Sequence, residues 1–133
     1  MMQIGEAAQA SRVSTKRIRH YEEIGLIPAP ARRTGNYREY TPDDVRRLEF
    51  VRRSRALGFS LPQIGGLLKL WDNRNRTCAE VQSVALAHVA SLESKILAMR
   101  EMIDELQGLL ADCHGNDSPD CSILKGLDGS DKL

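Results

Sequence analysis

From Thr77 to about Asp112, apolar or small residues recur at Val81, Ala85, Leu92, Met99, Ile103, Leu106 and Leu110, in steps of three, four and seven. The stretch has no proline, and glycine occurs in it only at Gly108. This spacing predicts one long helix with an apolar stripe along one side, interrupted at His88 and Lys95. The earlier part of the chain alternates more quickly. Residues 3–10 are good helix formers with apolar positions at helical spacing, and Ser11 to Val13 read as a turn. Ser14 is placed to cap a second helix that stops at Gly25. Two short helices across a tight turn predict a helix-turn-helix.

The segment LIPAPARRTGNYREY then breaks the helical pattern. Its two prolines exclude helix, and Gly35-Asn36 suits a hairpin turn needing positive φ, so a small β-hairpin wing is predicted. Thr41-Pro42-Asp43-Asp44 supplies a cap, a proline at the first helical position and two acids for the first turn. That helix is expected to run to about Leu57 and end at Gly58. Ser60-Leu61-Pro62 opens another, ending near Trp71, and Asp72 to Arg76 forms a polar loop. The predicted fold is mainly α. A winged helix-turn-helix over residues 1–71 and a linker over 72–76 precede a dimerisation helix over 77–112. A metal-binding loop over 113–124 and a flexible tail over 125–133 follow.

Composition changes the picture in two ways. Only 5% of residues are aromatic, so the chain has little else with which to cover so long an apolar stripe. The expectation is a homodimer joined through an antiparallel coiled coil. Charge is also unevenly placed. Residues 1–60 hold twelve Lys/Arg against seven Asp/Glu, whereas residues 61–133 hold seven against eleven. A basic first half suits a polyanion, here double-stranded DNA. The candidate contacts are Lys16, Arg17, Arg19 and Tyr21 on the second helix and Arg32, Tyr37, Arg38 and Tyr40 around the wing, with Arg55 reaching a phosphate. No stretch approaches a membrane span and the N-terminus lacks a signal peptide's apolar core, so the protein is expected in the cytoplasm without a membrane partner. No catalytic triad, phosphate loop or cofactor motif is present, and no enzyme activity is expected.

Three cysteines remain: Cys78, Cys113 and Cys121. Structural disulfides are not expected in a cytosolic chain, which leaves metal binding, redox switching or burial. Cys113 and Cys121 bracket a turn-rich loop able to fold back on itself, and soft sulfur selects soft metals. Cys78 and Cys113 lie five heptads apart, which is about 52 Å along a helix at 1.5 Å per residue. One ion therefore joins them only across two antiparallel chains, Cys78 of one beside Cys113 and Cys121 of the other, with two equivalent sites per dimer. A Cys113–Cys121 disulfide acting as a redox sensor is the alternative use of the loop, and a structural zinc site is a third.

The opening IGEAA, the run TKRIRHYEEIGLI, the wing GNYREY, the run FVRRSRALGFSLPQIGGLL and the terminal cysteine loop together resemble the MerR family of transcription regulators over nearly the whole chain. The loop CHGNDSPDCSIL is most similar to that of the copper-efflux regulators, the CueR-like group. That resemblance implies a dimer acting at a promoter on RNA polymerase through DNA distortion, with copper(I), silver or gold held by the loop cysteines. Two features depart from the copper group: the wing tip reads Gly35-Asn36 in place of Asn-Gly, and Cys78 stands where that group carries serine. The cysteine is typical of members answering to mercury, lead, cadmium or zinc, so a divalent ion is the second expectation.

Overall fold

Local hydrogen bonding sets where each helix begins. The computed structural model describes residues 2–29, 39–117 and 119–129 and contains six helices among them: α1 (Ile4–Ser11), α2 (Thr15–Glu23), α3 (Pro42–Ala56), α4 (Leu61–Asp72), α5 (Cys78–Ala111) and α6 (Ser122–Leu127). Helix starts leave four amides without partners, and side-chain oxygens fill the gap. Ser14 Oγ accepts from the Arg17 amide at 3.2 Å, and Thr77 Oγ1 accepts from the Glu80 amide at 3.2 Å. Thr41 and Asp44 form a reciprocal capping box at 3.1 and 2.9 Å, as Ser60 and Gln63 do at 3.3 and 2.8 Å. After α2 and α3 the chain turns through left-handed glycines, Gly25 at φ 74° and Gly58 at φ 91°. The caps at Ser14, Thr41 and Ser60 and the stops at Gly25 and Gly58 lie where the sequence predicts them, and Thr77, read as the first residue of the long helix, instead caps it.

The chain divides into two compact units between Gln82 and Ser83, within α5. The first is built on one apolar cluster. Ala7 of α1, Ile18 and Tyr21 of α2, Val45, Leu48 and Val51 of α3, and Ile64 and Leu68 of α4 are all buried in it. Polar ties fix how these helices sit. Arg52 of α3 donates through Nε to the Ser11 carbonyl at the end of α1, at 3.2 Å. Arg47 of α3 pairs with Asp72 of α4 and lies over the Trp71 ring, which stacks on Phe50 at 4.8 Å. Tyr40 is 1% exposed, pairs through its backbone with Met2 in an isolated antiparallel bridge, and donates its hydroxyl to Glu22 at 2.7 Å. The chain on the far side of the predicted wing is thereby tied to both ends of the helix-turn-helix.

No strand occurs among the described residues apart from that single bridge. The hairpin predicted around Gly35-Asn36, with Arg32, Tyr37 and Arg38, lies outside the described residues, as does the tail beyond Gly129. Nor is any described helix long and apolar enough to cross a membrane.

The second unit holds most of α5 and all of α6. His88 is the one buried residue that α5 contains. Leu92, Met99, Ile103, Leu106 and Leu110 of the predicted stripe are exposed, as are Val89 and Ile96, which complete a strict alternation of threes and fours that the sequence reading left partial. Helix α6 is a second departure: it is a formed helix where the sequence suggested the end of a loop and the start of a tail.

Because Leu48 is wholly buried between three other helices, Leu48→Ala is expected to destabilise the first unit by roughly 2–5 kcal/mol, whereas Thr41→Ala, which removes a cap, is expected to cost about 1 kcal/mol. Thermal unfolding of the two variants side by side checks the ranking.

Candidate nucleic-acid interface and thiol pair

Helix α2 presents two differently built cationic faces. Residues three or four apart share a side of a helix. Lys16 and Arg19 therefore line one exposed groove with Thr15, His20 and the carboxylate Glu23, at the solvent side of α2. Arg17 and Tyr21 instead turn toward α3 and line a cavity of about 350 Å³ together with Arg12, Ser14, Arg52 and Arg55. Four guanidinium groups and a helix N-terminus thus border one cleft, and no carboxylate is among its lining residues. An anion at this position meets hydrogen-bond donors from a planar fork geometry suited to phosphate oxygens.

Two of these arginines were not apparent from the sequence as site residues. Arg12 sits in the turn between α1 and α2 at φ 62°, the one described non-glycine residue with positive φ. That conformation costs an ordinary side chain about 1–2 kcal/mol, and glycine would relieve it. The left-handed conformation ends α1 as its C-cap and turns the chain toward α2, which places Arg12 at the cleft. Its sequence signal was a lone arginine in a predicted turn. Arg52 lies 41 positions from the carbonyl that holds it, and no local pattern reveals such a contact.

The structure separates the predicted DNA contacts into two groups. Lys16, Arg17, Arg19 and Arg55 are exposed on the basic faces. Tyr21 is buried, with an edge on the cleft, and Tyr40 lies in the core with its hydroxyl on Glu22. Tyr40 packs its ring in the core and satisfies its hydroxyl on Glu22, whereas Tyr21 buries its ring between the helices while keeping an edge on the cleft.

At the other end of the chain, α5 finishes at Ala111 and the Cys113 amide donates to the Leu110 carbonyl at 3.0 Å. The chain turns through Gly115 at φ 61° and returns as α6, which starts directly after Cys121. Ser122 Oγ donates to the Leu109 carbonyl at 3.0 Å and draws the start of α6 against the end of α5. This return brings the two loop cysteines near enough for the Cys113 thiol to favour the ionised form of Cys121. Cys121 Sγ also faces the first-turn amides of Leu124 and Ile123. Its geometry falls short of a cap hydrogen bond, but the two N–H dipoles still favour a thiolate. The Leu124 amide, then the Ile123 amide and the Cys113 thiol, hold the Cys121 thiol below its ordinary pKa, against a desolvation that raises it. Two adjoining sulfurs, one of them inclined to ionise, fit a soft metal ion. Among the described residues, no three His, Cys, Asp or Glu side chains are grouped to hold a metal. Cys78, the first residue of α5, is exposed, and so is His114.

Comparison with known proteins gives consistent matches along the chain. A family model described as MerR HTH family regulatory protein matches residues 2–71, and one described as MerR, DNA binding matches residues 45–109. The chain is 52% identical over 126 residues to the Heavy metal-dependent transcription regulator 2 of Rhizobium meliloti, covering 95% of this chain and 86% of that relative. It is 37% identical over 128 residues to the HTH-type transcriptional regulator CueR of Salmonella typhimurium, covering 96% and 93% respectively. Its structure is similar to that of a PbrR transcription regulator from Ralstonia metallidurans in complex with lead(II), with a TM-score of 0.85, 38% identity, and coverage of 96% of this chain and 99% of the other.

A lowered pKa means that the reactive thiolate is present at lower pH. In reduced, metal-free protein, alkylation of Cys121 is expected to reach half its maximal rate at a pH below that of a free cysteine thiol, and Cys113→Ala should move this midpoint upward. A Cys121 midpoint that Cys113→Ala does not move, read by mass spectrometry across a pH series, would show that the two thiols do not interact.

Proposed function

Because the chain belongs to the MerR family of transcriptional regulators, we propose that it binds promoter DNA as a homodimer through its basic first unit and responds to a thiophilic metal ion held by Cys113 and Cys121. The return of the chain through Gly115 carries this reading: with Ser122 bonded to the Leu109 carbonyl, Cys121 is drawn back toward Cys113, which supports a soft donor pair at one end of α5. Copper(I), silver and gold, which accept two sulfur ligands, are the favoured ions. A second reading is supported by exposed Cys78 at the start of α5 and by the lead(II)-bound PbrR relative. In it, a divalent ion takes a third thiolate from Cys78 of the partner subunit, since Cys78 and Cys113 stand at opposite ends of α5.

The apolar stripe of α5 supports the dimer. Val89, Leu92, Ile96, Met99, Ile103, Leu106 and Leu110 recur with the alternating three-four spacing of a coiled coil and stay exposed in one chain. Burying each such side chain contributes roughly 1.5–3 kcal/mol, enough in sum to order two helices along their length.

On the DNA side, Lys16 and Arg19 face outward to enter a groove, while Arg12, Arg17, Arg52 and Arg55 bind a phosphate in the cleft. Arg32, Tyr37 and Arg38, which lie outside the described residues, are proposed with Tyr21 and Tyr40 as further DNA contacts on the strength of the sequence pattern. A bound metal supplies positive charge that holds two thiolates together and so favours one conformation of the dimer over another. The chain's own part is to pass that preference through α5 to two cationic faces fixed on one DNA, whose shape then decides how RNA polymerase engages.

Arg12→Gly separates binding from folding. Removal of the strained side chain is expected to leave thermal stability equal or higher, while DNA affinity falls and the slope of log affinity against log salt drops by about one. Unchanged salt dependence in a footprinting or anisotropy titration would place the phosphate elsewhere. For the metal, the reduced protein and Cys78→Ser are titrated in competition with copper(I), mercury, cadmium, lead and zinc. Intact copper(I) affinity with lost divalent binding in Cys78→Ser supports the first reading, and failure of copper(I) to bind tightly overturns it. Insensitivity to every metal combined with a peroxide response would identify a redox switch.

A further inference from the structure

We propose that Gly126 and Ser122 are positioning residues that clamp α6 across Leu109 and thereby hold Cys121 against Cys113. The consequence for metal rests on reading the thiol pair as the metal site; the clamp itself does not. The last four carbonyls of a helix have no partner within it, and Leu109 is among them in α5. Ser122 supplies that partner from the first position of α6, at 3.0 Å. Gly126 lies four residues on, hence on the same face of the helix. A Cβ added there would stand 2.0 Å from Leu109 Cδ2, 3.3 Å from Cγ and 3.5 Å from Cδ1. One residue of α5 is therefore gripped at two points of α6, by a hydrogen bond at its carbonyl and by close approach at its side chain.

Gly126 is there for space rather than for backbone freedom. Its φ is not positive, unlike those of Gly25, Gly58 and Gly115. Glycine inside a helix costs about 1 kcal/mol relative to alanine, a large loss for a six-residue helix that cannot sustain itself alone. The contact with Leu109 offsets that loss only if α6 is docked. Cys121 immediately precedes Ser122, so the position of the first turn is also the position of its sulfur. Docking fixes the two thiols before any ion arrives, which removes the entropy of closing the loop from the cost of binding.

Gly126→Leu tests the clamp, because leucine raises helix propensity while filling the space against Leu109. The variants are made on a Cys78→Ser background, so that only the loop thiols remain, and DNA binding reports that each one folds. Two readouts are taken: the rate at which a short bifunctional thiol reagent links Cys113 to Cys121 in metal-free reduced protein, and silver(I) affinity by competition. Gly126→Leu is expected to lower both by about 10-fold or more, the range for residues that orient metal ligands. Adding Leu109→Ala, which returns the volume, should restore most of each. Ser122→Ala should lower both by a smaller factor with the rest of the chain unaffected. Linking and affinity within twofold of the parent in both Gly126→Leu and Ser122→Ala would overturn the proposal, as would failure of Leu109→Ala to rescue Gly126→Leu. If instead Cys121→Ser binds silver(I) as tightly as the parent while linking in the parent still depends on Gly126, the clamp stands and the metal reading fails.

Discussion

An apolar stripe seven side chains long lies exposed on a helix of 34 residues, and among the described residues of the second unit the one other helix is the six-residue α6. Hydrophobic burial is proportional to area removed from water, so a helix left in this state gains far more from a second copy of itself than from any local rearrangement. The family to which the chain belongs makes such pairing a natural reading, and the three-four spacing supplies the register. A two-fold pairing also fixes what else the helix does. In the proposed antiparallel dimer it would set the separation of the two basic units and bring the start of one α5 toward the end of the other, which is where the cysteines lie.

The first unit solves a different problem with the same economy of residues. Four short helices share one small core, and three polar ties, Arg52 to Ser11, Arg47 to Asp72 and Tyr40 to Glu22, settle their relative placement. The Arg52 tie is structural and functional at once, since the same guanidinium borders the cationic cleft. A rigid scaffold matters to the proposed DNA contacts because phosphate contacts position a protein on DNA without reading its sequence, so the groove that Lys16 and Arg19 meet would depend on how α2 is held.

At the far end of α5 the chemistry is set by proximity. Cysteine is a metal ligand as thiolate, and three donors (two amides and a neighbouring thiol) make Cys121 the readier of the pair to ionise. Which ion fits depends on how many sulfurs converge. Two favour a monovalent, two-coordinate ion and three favour a divalent one, so in the proposed reading the choice of ion depends on whether Cys78 joins the pair.

Much of this was legible in the sequence. Ser14, Thr41, Ser60 and Thr77 announce helix starts, and Gly25 and Gly58 announce ends, because a cap or stop is a hydrogen bond or dihedral spanning three or four residues. The heptad stripe, the basic α2 and the paired loop cysteines are patterns of the same local kind. Tertiary structure decided what joins distant positions. It added Arg12 and Arg52 to the cleft and moved Tyr40 into the core. It also turned the predicted end of the loop into a helix docked on Leu109. Those contacts link residues 13, 18 and 41 positions apart, and they exist only because packing brings two elements together. A linear pattern records which side chains are available for such contacts, but their distances follow from the folded arrangement, as where Ser122 meets the Leu109 carbonyl and turns Cys121 back toward Cys113.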